Sequence, residues 1–600
     1  MKPRIILCCV IYVIYCFAAA AAAHAQTSSD KTVPHLSNSG TAKQLFVDGK
    51  PFLVLGGELH NSSSSSLEYM KPVWPKLASI NLNTVLAVVS WELTEPEEGK
   101  FDFTLVDGLI NEARANNLRL IILWFGSWKN GMSTYIPAWV KTNPERFPRA
   151  RDQNGKALEI LSTFSDANRD ADARAFAAFM RHLKEVDDQK HTVIMIQVEN
   201  EVGILGDSRD RCEAANKVFA GPAPKELLDY LQKNKDGLIP EFRKVWEEKG
   251  LKTSGTWEEI FGSGKPKEIE IPVRTLSPPM TQEEHETAWR KLYWPADEIF
   301  MAWHYARYVN KVAGAGKAEY NIPMFVNAWL QQRDHAWPGT YPSGGPLPQV
   351  IDVWHAGAPA IDILAPDLYV PEFAELCARY TRAGNPLFMP ETRGGAQGAA
   401  NAIRAFGRYK AIGFSPFGID GFGGPFRAES TAAPENDPLA QCYKTISQLM
   451  PVILQHQADG TMTGVAQDVA ADGAMSESRQ QVQLGDYALS IDFGDSRRRQ
   501  QQQQSATGRP AQEASPGCGI IIMLAPDEYL IAGKAMTISF APAVPGAEIA
   551  GLAMVEEGQY IDGRWVPGRR LNGDEIQSGK GLRFPGDRFG IQRVKLYRYR

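Results

Sequence analysis

At 600 residues and 66.3 kDa the chain is too long for one small fold and points to roughly two to four domains. A hydrophobic content of 44% with 22% charged residues excludes a mainly disordered, collagenous or coiled-coil chain. The net charge of −5 and pI near 6.1 provide no general cationic field, which argues against nucleic acid or acidic membranes as partners. Aromatic residues make up 10% of the chain, enough to furnish carbohydrate-stacking platforms, although core packing accounts for most aromatics in most proteins.

The chain opens on the pattern of an export signal. Lys2 and Arg4 form a basic start, residues 5–23 are apolar, and Ala23-His24-Ala25 precedes Gln26 as an A-x-A cleavage site. Cleavage after Ala25 is the expectation, with export to the periplasm or beyond. Cys16 follows Tyr15 and lacks the small residue that a lipoprotein signal needs. No later stretch is long and apolar enough to span a bilayer, so no membrane association is expected after cleavage. Cys212, Cys377, Cys442 and Cys518 remain, too widely spaced for a disulfide framework and without a metal-binding pattern. They are compatible with one disulfide or with four free thiols. No metal and no cofactor is expected.

After a polar linker (26–42), the chain alternates short apolar runs with amphipathic helical stretches. The runs cover 51–59, 83–91, 118–128, 191–201, 322–330, 360–369, 386–393 and 411–419. Each is nearly continuous in apolar residues, as strands buried on both faces should be. Helical patterning separates them, for example over 103–117 and 170–186. Eight such strands with helical crossovers predict a (β/α)8 TIM barrel over 43–450. The segment 203–319 is too long for an ordinary connection and predicts a helical insertion after strand 4. From 451 to 600 the texture changes to short alternating runs, which predict an all-β, sandwich-like accessory domain. The polar tract 496–505 reads as a solvated loop within it.

Chemistry in such a barrel sits where strands end at the C-terminal face. The fourth apolar run ends in Asn200-Glu201 and the seventh ends in Glu391. An ionisable group closing an otherwise apolar strand is costly unless it meets solvent or a partner. Two such carboxylates across a barrel mouth are what glycoside hydrolysis needs: one protonates the leaving oxygen, the other attacks or directs water. Glu199 lies two residues before Glu201 and would share its strand face one pleat deeper, so it rivals Glu201 and reads best as a ligand for a sugar hydroxyl or as a residue that positions another side chain.

Four segments extend this reading: GGELH (56–60), LNTVLAVVSWELTEPEEGKFDF (82–103), PAWV (137–140) and IQVENEVG (196–203). With them the chain resembles the retaining barrel glycosidases, and most closely the β-galactosidases of glycoside hydrolase family 35. The resemblance is strongest over 45–210 and implies that Glu201 is the proton donor and Glu391 the nucleophile. It further implies that Asn200 binds the sugar 2-hydroxyl, and Tyr369, ending strand 6, is a candidate to orient Glu391. Two positions depart from the family. Strand 2 ends Val88-Val89-Ser90-Trp91, without the Tyr that touches galactose, and strand 3 ends Gly126-Ser127-Trp128, with Ser127 where the family has a sugar-binding Glu. Glu58 or Asn61, at the end of strand 1, could supply the lost polar contact. His60 reads equally as a rim structural residue or a hydroxyl ligand. Trp128 and Trp329 read as stacking platforms, and Trp91 is left open.

The resulting expectation is an exported, retaining exo-β-galactosidase that acts on oligosaccharides or on plant-wall side chains such as those of galactosylated xyloglucan. The alternatives are a retaining enzyme of the same clan acting on β-glucosides, β-mannosides or amino sugars, and a non-catalytic carbohydrate-binding barrel. Of the two carboxylates, Glu201 is expected to have a raised pKa and Glu391 a normal or low one, because two close carboxylates cannot both ionise freely.

Overall fold

The computed structural model describes residues 33–262, 296–331, 338–421, 436–469, 474–476, 479–493, 515–546 and 548–600. The expected signal segment and the tract 496–505 lie outside them.

Eight parallel strands close into a barrel: β1 (Val54–Glu58), β2 (Thr84–Ser90), β3 (Arg119–Phe125), β4 (Val193–Val198), β5 (Met324–Trp329), β6 (Ile363–Leu368), β7 (Phe388–Thr392) and β8 (Gly413–Pro416). Closure is made by β8 against β1, with Gly413 opposite Val54 and Phe414 opposite Leu55. Leu86, Val88, Ile121, Leu123, Phe125, Ile363, Ala365 and Phe388 form one apolar cluster, while Val85, Ala87, Leu120, Ile122 and Trp124 belong to another. That alternation is the signature of strands buried on both faces. Residues 51 and 52, expected to begin the first barrel strand, belong instead to a small antiparallel sheet (His35–Ser39, Ala42–Val47, Lys50–Phe52). Leu45 and Val47 of that sheet join the cluster containing Val54 and Leu86.

The barrel helices include α1 (Thr104–Ala115), α2 (Asp166–Asp187), α3 (Ala296–Glu319) and α4 (Gly395–Arg408). The expected insertion after β4 is shorter at its end than the sequence suggests. Short helices occupy Glu213–Phe219, Lys225–Lys233, Pro240–Glu248 and Trp257–Phe261, but α3 is the crossover helix that leads into β5 and packs along α2. Gly316 permits that approach: a Cβ there would sit 2.2 Å from the Phe176 ring.

Helix α5 (Pro438–Asp459) runs through residue 450, where the division between domains was expected, and ends on Gly460 in the left-handed conformation. Beyond it, six strands (Met462–Ala466, Cys518–Ala525, Glu528–Lys534, Ile549–Ile561, Arg564–Arg570, Gly590–Tyr599) and four strands (Gln480–Leu484, Tyr487–Asp492, Met536–Pro542, Leu582–Phe584) form two sheets. Ile521, Ile531 and Val594 of one sheet share an apolar core with Leu489, Ile491 and Ile538 of the other, as in a sandwich. All four cysteines of the described chain are free thiols.

Candidate active site

Regular strand geometry stops at Val198. Glu199 and Glu201 both adopt left-handed backbone, at φ 63° and 47°, a conformation that costs energy for a non-glycine residue and is held by surrounding contacts. Asn327 on β5 supplies one such contact, its Oδ1 accepting the Glu201 N–H at 2.9 Å. The Asn200 N–H donates to the Trp128 carbonyl at 3.2 Å. Because the two-residue alternation no longer applies, Glu199 and Glu201 point to different places.

Glu201 faces the barrel mouth. Within 4.8 Å of one another lie oxygens of Glu201, Glu391 and Asp367. Glu391 ends β7 opposite Asp367 on β6, so the two are register neighbours. The Tyr369 hydroxyl donates to Oε1 of Glu391 at 2.7 Å, and Oε2 of Glu391 is buried without a partner among the described residues. Asn200 has both side-chain polar atoms buried and without a partner among the described residues. Glu58, closing β1, is buried with Oε1 unpartnered. It belongs to the same electrostatic cluster, because the Glu391 and Glu201 charges act on it.

Among the described residues one cation enters the cluster. Lys129, only 5% exposed, places Nζ 3.9 Å from Oε2 of Glu201 and 5.3 Å from the centre of the Phe125 ring. Its neighbour Asn130 donates its side-chain amide to the same Glu201 oxygen. Both are presented by a tight turn in which Asn130 and Gly131 have φ of 51° and 68°, and Lys129 and Met132 exchange backbone hydrogen bonds. Asn-Gly at the centre of such a turn is its strongest sequence signal.

Burial is the first cause of every pKa shift here. It raises Glu201, the charge of Glu391 raises it further, and Lys129, Asp367 and Asn130 oppose, leaving Glu201 at about 7. Burial and the Glu391 charge also hold Glu58 and Asp367 well above the ordinary carboxylate range. For Lys129, burial favours the neutral amine, but Glu201, Glu391, Glu58 and Asp367 outweigh it and raise the ammonium pKa. Four buried carboxyls around one ammonium cannot all be ionised, so protons are shared within the cluster.

Glu199 is fully buried. Its Oε2 accepts the Trp128 N–H at 2.8 Å, its Oε1 has no hydrogen-bond partner among the described residues, and burial with the charge of Asp172 on α2 raises its pKa well above the ordinary range. Asp172 accepts from the Trp124 indole at 3.0 Å and the Ser127 hydroxyl at 2.6 Å, and that hydroxyl meets Tyr308 of α3 at 2.7 Å. Ser127 thus belongs to a buried structural network. Trp128 is not a stacking platform: it is fully buried, edge-on to Tyr305 and Tyr308 at 5.0 and 4.5 Å. Trp91 is equally buried and donates to Glu95 at 2.7 Å. Trp329, at the end of β5, keeps part of its surface exposed. His60 stands at the rim with its side chain 37% exposed, its Nδ1 2.9 Å from Asp420.

Three site residues escaped the sequence reading. Asp367 and Asn327 are polar residues inside apolar strands, the very signal that singled out Glu201 and Glu391. Lys129 stands beside an Asn-Gly turn at the end of strand 3.

Residues 68–291 match the family model described as β-galactosidase (glycoside hydrolase 42). That segment is a glycoside hydrolase domain. Residues 439–583 match a domain of unknown function (DUF5597). Over 197 residues the chain is 30% identical to a β-galactosidase of Xanthomonas manihotis, covering 32% of this chain and 30% of that one. Over 198 residues it is 40% identical to human β-galactosidase-1-like protein 3, covering 32% and 28%. The chain thus spans about three-tenths of the length of these curated relatives. Among solved structures, a β-galactosidase from the psychrophilic Marinomonas ef1 overlays with a TM-score of 0.40 at 14% identity, covering 67% of this chain and 61% of that one.

Proposed function

We propose that the protein is a retaining exo-β-galactosidase that works by double displacement. The observation that carries this reading is the proximity of Glu201 and Glu391, whose oxygens lie within 4.8 Å. Retaining pairs stand ~5–5.5 Å apart, whereas an inverting pair needs ~6.5–9.5 Å to admit a water. Glu201, protonated below about pH 7, gives its proton to the glycosidic oxygen as that bond breaks. Glu391, oriented by Tyr369, attacks the anomeric carbon and forms a glycosyl ester. Glu201, now a carboxylate, takes a proton from water, and the oxygen of that water displaces Glu391 from the sugar. The unpartnered amide of Asn200 binds the 2-hydroxyl.

The choice of galactose leans on the printed names of the matched relatives and on the resemblance to family 35, of which this chain would be a divergent branch. Export rests on the N-terminal sequence pattern, and plant-wall side chains such as those of xyloglucan fit an exported enzyme. A second reading, hydrolysis of another β-glycoside, is favoured by one observation. Ser127 is committed to Asp172 and Tyr308, so strand 3 offers the sugar no carboxylate there. A panel of nitrophenyl glycosides separates the readings. Fastest hydrolysis of the β-galactoside supports the first, preference for a β-glucoside or β-mannoside supports the second, and hydrolysis of none contradicts both.

A further inference from the structure

We propose that Lys129 and Asn130 are positioning residues that clamp Oε2 of Glu201 from one turn and stabilise its carboxylate once the acid has given up its proton. The proposal rests on the reading of Glu201 as acid/base. Its geometric basis is the convergence of two side chains on one atom. Asn130 donates its side-chain amide to Oε2 of Glu201, and Lys129 Nζ lies 3.9 Å from the same oxygen. The side chains of Lys129 and Glu201 are each only 5% exposed, so salt and water screen the pair little. An oxygen that meets an amide N–H and an ammonium is an acceptor only, and the proton of the neutral acid therefore sits on Oε1.

The turn is seated on the end of β4 at two points. Before Lys129, the Trp128 carbonyl accepts the Asn200 N–H at 3.2 Å. After Asn130, Gly131 lies against Gly203, where a Cβ would sit 3.0 Å from the Gly203 carbonyl oxygen, and its φ of 68° suits glycine. Glu201 stands between Asn200 and Gly203, so the turn and the carboxyl are held as one unit. The Phe125 ring, its centre 5.3 Å from Nζ, adds a further contact that fixes the ammonium.

This arrangement serves both forms of Glu201. When Oε1 gives its proton to the glycosidic oxygen and the C–O bond breaks, the new carboxylate already has an amide and an ammonium at Oε2, and no side chain has to move. The water of the second step returns a proton to Glu201, which closes the cycle. The groups that act on Glu201 or its neighbours from the other elements are Glu58 on β1, Asp367 on β6 and Glu391 on β7, with the Tyr369 phenol beyond β6. A charge on any of these carboxyls opposes ionisation of Glu201, whereas the Lys129 charge favours it.

The test is Lys129→Met in the full-length protein, which keeps the length of the side chain and removes its charge. The readouts are the pH profile of kcat and the protonated-carboxyl stretch in pH-difference infrared spectra, assigned to Glu201 by its loss in Glu201→Gln. Without the ammonium the carboxylate is disfavoured. The expected result is a basic limb and an infrared midpoint shifted upward by about one pH unit or more from the wild-type position near 7. An unmoved limb and midpoint overturn the proposal, and a raised KM in that case would make Lys129 a sugar ligand instead. Should Lys129→Met not fold, Asn130→Asp serves: a carboxyl replaces the amide donor at Oε2, and the midpoint should again rise. An unchanged midpoint overturns the proposal. If the wild type hydrolyses no glycoside, the functional reading fails, while the infrared midpoints still decide whether the turn acts on Glu201.

Discussion

The Tyr369 hydroxyl donates a 2.7 Å hydrogen bond to Oε1 of Glu391 across the ends of two adjacent strands. Burial, with the Glu391 charge beside it, pushes the Tyr369 pKa far up, so the phenol remains a donor at any working pH. Oε1 is thereby occupied while Oε2 has no partner among the described residues, so in the proposed mechanism the attack falls to Oε2. Hydrogen bonds to charged groups contribute about 1.5–3 kcal/mol. Tyr369→Phe should therefore lower kcat about 10- to 100-fold with little change in KM, as steady-state kinetics on a nitrophenyl glycoside would measure.

The Glu201 pKa of about 7 fixes the basic side of the pH profile. A raised pKa means that the protonated acid is present below that value and lost above it. Activity on a substrate whose leaving group needs protonation should fall as pH rises through about 7. In Glu201→Gln that limb should disappear. A limb unchanged in the variant would show that another group carries the proton.

Burial, aided by Asp172, holds Glu199 protonated well above the ordinary range. The folded state therefore binds a proton that the unfolded state releases above about 4.5, the ordinary Glu value. By linkage this contribution to stability is complete below that pH and declines as pH rises through the folded value. Glu199→Gln keeps an acceptor for the Trp128 N–H and removes the titration. Its Tm should fall less steeply between neutral and alkaline pH than that of the wild type. Glu199→Leu, which leaves that N–H unpaired, should cost about 1–3 kcal/mol by denaturant unfolding. Azide should rescue Glu201→Ala as a β-glycosyl azide and should not rescue Glu199→Ala.

Much of the barrel is legible from composition along the chain, because strands buried on both faces must be continuous in apolar residues. The same logic exposes Glu201 and Glu391, whose charge interrupts such runs. Asp367 carries this signal too, inside the run 360–369, but Tyr369 two residues later draws the role of site residue away from it. The orientation of Glu199 is not legible: strand alternation places it beneath Glu201, and only the left-handed backbone at 199 and 201 turns it toward Asp172. Nor is the burial of Trp128, which depends on Tyr305 and Tyr308 of a helix far along the chain. Local sequence records the identity of a strand end but not what a distant helix lays over it.

The two tryptophans at strand ends should therefore part company. Trp128→Ala empties a fully buried site and should cost about 3–5 kcal/mol of stability. Trp329→Ala, at a partly exposed position, should leave Tm nearly unchanged and raise KM. Thermal unfolding alongside kinetics separates the two effects.

Close approach of Glu201 and Glu391 is the central claim, and the anomer first released tests it most directly. Proton NMR, begun within minutes of adding enzyme to nitrophenyl β-galactoside, should show β-galactose appearing first and the α-anomer growing only by mutarotation. Initial release of α-galactose would mean that a water stands between the carboxylates, and would contradict the account.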